Sequence, residues 1–427
     1  MRQRKSVEWT RLDNASKIFP ATCSNKDTKV FRLACELYNA VDPEMLQEAL
    51  NITMDYFPFY KSVLRKGVFW YYFQTSDLHP VVERESDPVC APIYLDDRKN
   101  LLFRVSYYHN RINLEIFHAL SDGTGALWFM KTLVYHYIRL RHKEAFADQI
   151  PEFKPNASIS EKMDDSFGRY FEGRDLDILK LMDNPNKAKT ARTYRIRGTR
   201  LDENKVKVIE GSMSAKEALG LAHKYNATLT VFIAALFIYA LHKERPVRTK
   251  NDPVVLSVPI NLRNFFQSET TRNFFSTMNI GYPFGQESPD FQDVIRGVSE
   301  DFRKELTAES LNQRLNQLMS IEKNLLTRII PLPFKDYSLR LASKIADRGI
   351  TAAITNIGQI LLPEEFKRYI RQFSLCSSAR MPHISICSYN DRLAVSFSSP
   401  FRETEIQRTF FEFLSENGID IEITCNL

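Results

Sequence analysis

The chain has 427 residues and a formal net charge of +6, and 44% of its residues are hydrophobic while 26% are charged. These values are typical of a globular protein with room for roughly two or three domains. The positive charges are spread along the chain without a long basic block, so the sequence does not indicate a nucleic-acid-binding protein. The six cysteines form no CxxC pair and the eight histidines show no zinc-protease spacing, so no metal site is predicted.

The N-terminus and the most apolar segment bear on the location of the protein. Residues Met1–Glu8 are polar and contain no apolar signal-peptide core, which favours the cytoplasm. The longest apolar run, Leu229–Leu241, is too short to span a bilayer. We therefore expect no transmembrane segment and interpret this run as a buried helix.

The N-terminal half has the pattern of a mixed α/β unit. Asp42 followed by Pro43 predicts the start of a helix, because Asp is a favoured N-cap and Pro a favoured first residue. Leu102–Tyr108 and Asn113–Phe117 are strand-like and close together, which predicts a hairpin. His118 follows this hairpin and is therefore expected at the end of a strand that has a paired neighbour.

Composition divides the chain into three regions. Residues 1–150 form a predicted N-terminal lobe, and residues 201–427 a predicted C-terminal lobe. Between them, over 151–200, apolar periodicity fades while Asp, Lys, Asn and Pro accumulate, which predicts a linker or crossover. Near the start of the second lobe, Ser214 with Glu217 three residues later is typical of a capping box and predicts another helix.

A histidine, an aspartate and a glycine stand together at residues 118–123, where the sequence reads His-Ala-Leu-Ser-Asp-Gly. Apolar residues then recur at helical spacing at Leu127, Met130 and Val134. His118 would thus be held at the edge of a cleft with a ring nitrogen available for proton transfer. A packed histidine beside an ordinary Asp-Gly turn fits the same pattern, so both interpretations stay open at this point.

An ordered set of motifs resembles the chloramphenicol-acetyltransferase-like (CAT-like) superfamily. That superfamily includes BAHD acyltransferases, condensation domains of nonribosomal peptide synthetases and bacterial alcohol acetyltransferase-like proteins. Besides HxxxDG at 118–123, residues 258–263 resemble its VPxxLR segment, and 273–275 resemble its GNF strand. Residues 355–358 resemble its SN-G strand, and 418–423 its C-terminal end in the alcohol acetyltransferase-like branch. The set spans most of the chain.

The resemblance implies an α/β fold of two similar CAT-like lobes, each a mixed β-sheet with flanking helices, and an active-site tunnel between them. His118 would act as the general base. Asp122 would be structural, pointing away from the cleft and pairing with an arginine, for which Arg263 and Arg104 are the candidates. Gly123 would allow the tight turn.

The implied reaction moves an acetyl or other acyl group from a coenzyme A (CoA) thioester to a small alcohol or amine. No permanently bound cofactor is expected, since acyl-CoA would be a co-substrate, and the residues that bind it are not indicated. Donors of hydrogen bonds to the oxyanion are expected among Thr355, Asn356, Ser276 and Thr277, although each of these could equally cap a strand end.

Three alternatives remain. The donor could be an acyl group on a carrier protein, the protein could bind a ligand without catalysis, or it could be a membrane-associated lipid acyltransferase. The last is disfavoured because the motif has a single histidine and the sequence lacks any long apolar or strongly amphipathic basic segment. Phe117 replaces the first histidine of the double-histidine form, and the BAHD DFGWG segment is missing, which favours the alcohol acetyltransferase-like branch. The chain has no GxSxG elbow, which argues against a serine hydrolase.

Overall fold

The computed structural model describes residues 9–96, 98–146, 159–171, 193–285, 289–323 and 329–427. Of the predicted linker, residues 151–158 and 172–192 lie outside this part of the chain. The predicted boundaries near 150 and 200 stay predictions.

The first half contains seven strands and five helices within the described residues. The strands are β1 (Trp9–Arg11), β2 (Val30–Leu37), β3 (Ser62–Lys66), β4 (Tyr71–Thr75), β5 (Val82–Arg84), β6 (Phe103–Tyr108) and β7 (Arg111–Phe117). The helices are α1 (Ile18–Thr22), α2 (Pro43–Tyr56), α3 (Gly123–Arg141) and the short α4 (Ile159–Met163) and α5 (Ser166–Arg169).

The second half adds eight strands and six helices in the part of the chain that the structure describes. The strands are β8 (Lys207–Ser214), β9 (Val254–Asn261), β10 (Phe275–Tyr282), β11 (Ala352–Ile360), β12 (Ile370–Ser377), β13 (His383–Tyr389), β14 (Arg392–Ser399) and β15 (Glu422–Cys425). The helices are α6 (Ala215–Lys224), α7 (Leu229–Glu244), α8 (Phe291–Glu305), α9 (Ala308–Lys323), α10 (Leu332–Ala346) and α11 (Glu405–Glu416).

Two large sheets organise the two halves, and a small one lies beside them. The five-stranded sheet has the order β12-β2-β7-β6-β5, and the seven-stranded sheet has the order β10-β9-β11-β13-β14-β8-β15. Both are mixed, because β5 pairs with β6, and β11 with β9 and β13, in parallel while the other neighbours are antiparallel. The three-stranded sheet has the order β1-β4-β3. Each large sheet contributes to a separate hydrophobic core, which makes the molecule two-lobed.

Strand β12 crosses from the second half of the sequence into the sheet of the first. It pairs antiparallel with β2, with Phe373 opposite Cys35 and Leu375 opposite Leu33. Phe373 and Leu375 are buried in the core of the first lobe. The two lobes are therefore joined by β12, a strand from the second half of the sequence that belongs to the sheet of the first, as well as by the chain itself.

Local signals explain the helices that frame the site. The Asp42 side chain accepts hydrogen bonds from the backbone N–H groups of Glu44 and Met45, which confirms the predicted start of α2. Asp122 caps α3 in the same way, accepting from the Gly125 N–H at 2.9 Å. Because β7 ends at Phe117 and α3 begins at Gly123, the motif histidine lies in the short connection between them.

Helix α7 corresponds to the apolar run at 229–241 and is buried on nearly all sides. Of the described helices, none is by itself long and apolar enough to cross a membrane. Helices α6 and α7 meet that criterion only when they are taken together, and the chain bends by 76° between them.

Candidate active site

His118 is held between backbone and aromatic contacts at the end of β7. Its backbone N–H donates to the carbonyl oxygen of Lys29 at 2.8 Å. The imidazole stacks on Phe19, with ring centroids 4.2 Å apart and planes 13° apart, and lies 5.0 Å from the Phe31 ring centroid. These contacts restrict the orientation of the ring, as a proton-transfer group requires.

Asn273 determines which ring nitrogen of His118 carries the proton. The Asn273 amide N–H₂ donates to the carbonyl oxygen of His118 at 2.9 Å and to Ser16 Oγ at 2.9 Å, so its Oδ1 faces the imidazole. Oδ1 lies 3.2 Å from His118 Nδ1 and can only accept, which assigns the proton to Nδ1. Nε2 is then the basic nitrogen, and it makes no hydrogen bond to a described residue.

Burial lowers the pKa of His118 below its usual value of 6.5, because the charged imidazolium is poorly solvated there. A hydrogen bond to its own backbone, the nearby charge of Asp122 and the Asn273 amide oppose this shift. The neutral, basic form therefore predominates at neutral pH.

His118 opens onto a cavity of about 660 Å³ that draws its walls from both lobes. The first lobe contributes Phe19 and Phe31, while the second contributes residues of β9, β10, β11 and β13. Apolar wall residues include Val258, Ile260, Phe265, Met278, Phe302, Leu306, Ile357 and Leu375. This volume and lining suit a small organic substrate with a few fixed polar contacts.

Both carboxylate oxygens of Asp122 accept hydrogen bonds from other parts of the protein. Its Oδ2 accepts from Arg263 Nη1 at 2.8 Å and from the Phe274 backbone N–H at 2.8 Å, while Oδ1 caps α3. The Arg263 guanidinium also donates to three backbone carbonyl oxygens, those of Thr270, Arg272 and Phe274. The Asp122 side chain is 6% exposed and the Arg263 side chain is 5% exposed. The two therefore form a buried ion pair between the lobes.

Of the two candidate partners of Asp122, Arg104 lies elsewhere. Its guanidinium pairs with Glu115 and Asp87 in the first lobe. Arg104 and Glu115 are directly opposite each other on the paired strands β6 and β7, so cross-strand contact decides this pairing.

Two glycines near His118 have different roles. A Cβ on Gly123 would meet Ile357 Cγ2 at 3.3 Å, in the cavity wall. A Cβ on Gly125 would lie 2.1 Å from the carbonyl oxygen of Thr271 and 2.3 Å from Ser121 Oγ. Close packing of α3 against the second lobe therefore requires glycine at 125, a position that the sequence analysis did not single out.

Thr355 and Asn356, two of the four cleft candidates, lie in the cavity wall. Thr355 Oγ1 is 2.8 Å from His383 Nε2, and His383 Nδ1 is 2.8 Å from Ser377 Oγ. The Asn356 amide donates to Thr230 Oγ1 at 2.8 Å, and its Oδ1 accepts from the backbone N–H of residue 358. Both side chains thus already have polar partners.

Ser276 and Thr277, the other two cleft candidates, are not among the residues that line the cavity. Ser276 is buried at 7% exposure, opposite Ile260 in the sheet. Thr277 is exposed, and its carbonyl oxygen accepts from Arg314. Their neighbours on β10, Phe275 and Met278, line the cavity instead.

Strand β13 supplies two cavity residues that sequence reasoning missed. Burial lowers the pKa of His383 to about 4, so this second histidine is neutral. Ser385 is 1% exposed, and its Oγ has no hydrogen-bond partner among the described residues. The alternation of polar His383 and Ser385 with buried Ile384 and Ile386 is the signal that could have identified this face.

A second pocket, of about 380 Å³, is strongly basic. Its wall includes five cationic side chains and one carboxylate, namely Arg195, Arg200, Lys344, Arg348, Arg380 and Asp347. Arg380 pairs with Asp347, and its charge also interacts with Asp27 in the wall of the His118 cavity. The pocket therefore lies beside the cavity, separated from it by the connection between β12 and β13.

No cluster of three or more His, Cys, Asp or Glu side chains with the geometry of a metal site occurs within the described residues.

Solved structures with the same architecture cover nearly the whole chain. The first condensation domain of the calcium-dependent antibiotic (CDA) synthetase matches with a TM-score of 0.66 and 15% identity, over 97% of this chain and 96% of that one. Trichothecene 15-O-acetyltransferase from Fusarium sporotrichioides matches with a TM-score of 0.65 and 10% identity, over 95% and 94%. Polyketide synthase associated protein 5 from Mycobacterium tuberculosis matches with a TM-score of 0.59 and 13% identity, over 95% and 96%.

The chain has the two-lobed CAT-like fold. The predicted fold class is thereby confirmed, with the His118 cavity between the lobes. No family model matches the sequence, and no curated protein matches it either. The predicted superfamily, and the predicted branch of it, therefore stay predictions, and the chemistry of the protein rests on its own residues.

Proposed function

We propose that this protein is an acyltransferase that moves an acyl group from a CoA thioester to an alcohol or amine, with His118 as the general base. The observation that carries the proposal is the arrangement of His118. Its Nδ1 proton faces the Asn273 oxygen, which leaves Nε2 basic in a cavity between two lobes. The solved structures of the same fold, which include an acetyltransferase, support this class of reaction.

In this reaction His118 Nε2 takes the proton from the acceptor O–H or N–H as the acceptor heteroatom attacks the thioester carbonyl carbon. The new bond forms while the carbonyl π electrons move to oxygen, which gives a tetrahedral oxyanion. When the oxyanion collapses, the C–S bond breaks, and the imidazolium returns its proton to the leaving thiolate. The Asn273 oxygen stabilises the imidazolium through its Nδ1 proton.

The Ser385 hydroxyl is one candidate in the cavity wall for a donor to the oxyanion. Its Oγ is buried and unpaired among the described residues, so its proton is available to a ligand. Thr355 is a second candidate. If Ser377 donates to His383 Nδ1, then His383 Nε2 donates to Thr355 Oγ1, and the Thr355 proton is free to point into the cavity.

The basic pocket supports free acyl-CoA over a carrier-bound acyl group as the donor. CoA carries phosphates at its nucleotide end, and these favour a pocket rich in Arg and Lys. A carrier-bound pantetheine arm lacks the nucleotide.

The test is the release of free CoA thiol from acetyl-CoA and longer acyl-CoAs, in the presence of small alcohols and amines. Wild type is compared with His118→Ala and with the matched control His223→Ala, which changes an exposed histidine on α6. We expect acceptor-dependent release that falls about 10²-fold or more in His118→Ala and is unchanged in the control. Equal activity in His118→Ala contradicts its role as base, and CoA binding without turnover by any acceptor indicates a non-catalytic protein.

A further inference from the structure

Helix α10 exposes an apolar stripe on the side that faces away from the protein. Phe334, Tyr337, Leu341 and Ile345 recur at helical spacing and are 67%, 70%, 49% and 46% exposed. The inner side of the helix packs through residues such as Leu332, which is 4% exposed. A helix in a monomeric soluble domain normally shows polar residues on its outer face.

The turn between β3 and β4 extends this stripe into a wider surface. Val68, Phe69 and Trp70 in the turn are 71%, 39% and 41% exposed. Hydrogen bonds attach the turn to the start of α10, because the Leu332 N–H donates to the Val68 carbonyl at 2.8 Å and Lys335 Nζ donates to the Phe69 carbonyl at 2.9 Å. We call the turn and the stripe together the apolar face. Apolar patches of this kind indicate an interaction surface.

Cationic side chains lie among the aromatic rings of the apolar face. The Arg11 guanidinium is 5.5 Å from the Trp70 ring centroid, and Lys335 Nζ is 5.4 Å from it. The Asp336 side chain, also on α10, is directed inward. Its carboxyl group accepts a hydrogen bond from the Tyr71 hydroxyl at 2.8 Å, and burial raises its pKa. The charge presented by the face is therefore positive.

We propose that the apolar face docks onto an anionic lipid bilayer, with α10 lying in the plane of the membrane interface. Trp and Tyr with apolar tips, interleaved with Lys and Arg, are the composition that the interface favours. The cations attract anionic headgroups while the aromatic and aliphatic side chains enter the boundary of the acyl chains.

The linear sequence does not show this surface because two separated segments form it. The sequence alone disfavours a membrane-associated protein, because it contains no long apolar or strongly amphipathic basic segment. The structure brings the turn at residues 67–70 to a helix more than half the chain away. The proposal rests on this surface and does not depend on the proposed reaction.

The apolar face is close to the wall of the His118 cavity. Arg340 Nε donates to the Ala21 carbonyl at 2.6 Å, so α10 packs against α1. Helix α1 carries Phe19, whose ring stacks on His118. Docking of α10 would therefore bring the cavity close to the membrane, with α1 between them. Long-chain substrates concentrate in the membrane.

The first test is co-sedimentation with vesicles. The full chain is mixed with vesicles of phosphatidylcholine alone, or of phosphatidylcholine with phosphatidylglycerol, at low and high NaCl. We expect binding to the anionic vesicles that weakens with salt, and a loss of roughly ten-fold or more in Phe334→Ser/Tyr337→Ser. The control Val247→Ser, which changes a residue that is 80% exposed outside the face, should bind as wild type does.

Tryptophan fluorescence tests the orientation. The chain has three tryptophans, at positions 9, 70 and 128. In Trp9→Phe/Trp128→Phe only Trp70 remains, and lipids with brominated acyl chains should quench it. In Trp9→Phe/Trp70→Phe only Trp128 remains, which lies under Arg263 at 5.6 Å and should not be quenched.

Three results would overturn the proposal. The first is equal binding to neutral and anionic vesicles, or none to either. The second is binding that the double serine variant leaves unchanged. The third is a concentration-dependent dimer, or a complex with an acidic carrier protein, that the same variant abolishes while vesicle binding is absent, since this would make the face a protein interface.

Discussion

At the scale of single residues, Ser385 is a buried side chain in the wall of the cavity. Because its Oγ has no partner among the described residues, its removal should be nearly neutral for folding. If it donates to the oxyanion, Ser385→Ala should lower kcat by about 10²–10³-fold with little change in the urea midpoint. The matched control is Ser396→Ala, which removes a buried hydroxyl that donates to Glu210 at 3.1 Å and should cost stability. Unchanged kcat in Ser385→Ala would leave Thr355 as the candidate donor.

The pKa of His118 sets the pH dependence of the reaction. The base is the neutral imidazole, so kcat/KM should rise with pH through the folded-state pKa and then level off. Since burial lowers this pKa, the inflection should lie below the ordinary value of 6.5. Asn273 raises the pKa by accepting the Nδ1 proton, so Asn273→Ala should move the inflection to still lower pH and reduce the plateau. An inflection that stays in place would show that Asn273 does not support the imidazolium.

At the scale of elements, the N-terminus of α3 packs closely against the second lobe. In Gly125→Ala the new Cβ would meet the Thr271 carbonyl at 2.1 Å, and backbone atoms cannot yield as a side chain can. We expect a loss of about 3 kcal/mol or more in the free energy of unfolding, measured with urea. Gly123→Ala is the matched control two residues away. Its Cβ meets only a methyl group of Ile357, so stability should change by less than about 1 kcal/mol.

Local chemistry explains which elements were predictable. The N-caps Asp42, Ser214 and Thr228 each accept a hydrogen bond from the first turn of their helices, and such signals lie within a few residues. The hairpin before His118 was predictable for the same reason, and it forms β6 and β7. By contrast, the periodicity of residues 291–326 predicts one long helical region, whereas the structure divides the described part of it into α8 and α9.

Long-range pairing explains what was not predictable. Nothing in the local pattern of residues 370–377 indicates that this strand leaves its own lobe to pair with β2, because pairing depends on topology.

The residues of the site also divide into those that a local motif predicts and those that only long-range pairing brings together. His118 and Asp122 carry a motif, whereas His383 and Ser385 become cavity residues only when β13 is placed beside β11. The basic pocket also gathers its cations from three separate segments.

At the scale of the whole molecule, the uneven distribution of charge suggests how a donor enters. The net charge of +6 is modest, yet five cations surround one small pocket next to the cavity. Like charges gathered in this way repel one another until an anion binds. Lys344 and Arg348 make no ion pair with a described residue, so a phosphate would be their first counter-charge.

Removing the charges of Lys344 and Arg348 should therefore selectively weaken the binding of CoA thioesters. In Lys344→Gln/Arg348→Gln we expect KM for acetyl-CoA to rise about ten-fold, or about 1.4 kcal/mol, while KM for acetyl-pantetheine is unchanged because that donor has no phosphates. Added NaCl should raise KM for acetyl-CoA alone. The control Lys216→Gln/Lys224→Gln removes two charges from α6 and should affect neither donor. An equal effect on both donors would make the pocket structural, and no effect on either would place the phosphates elsewhere.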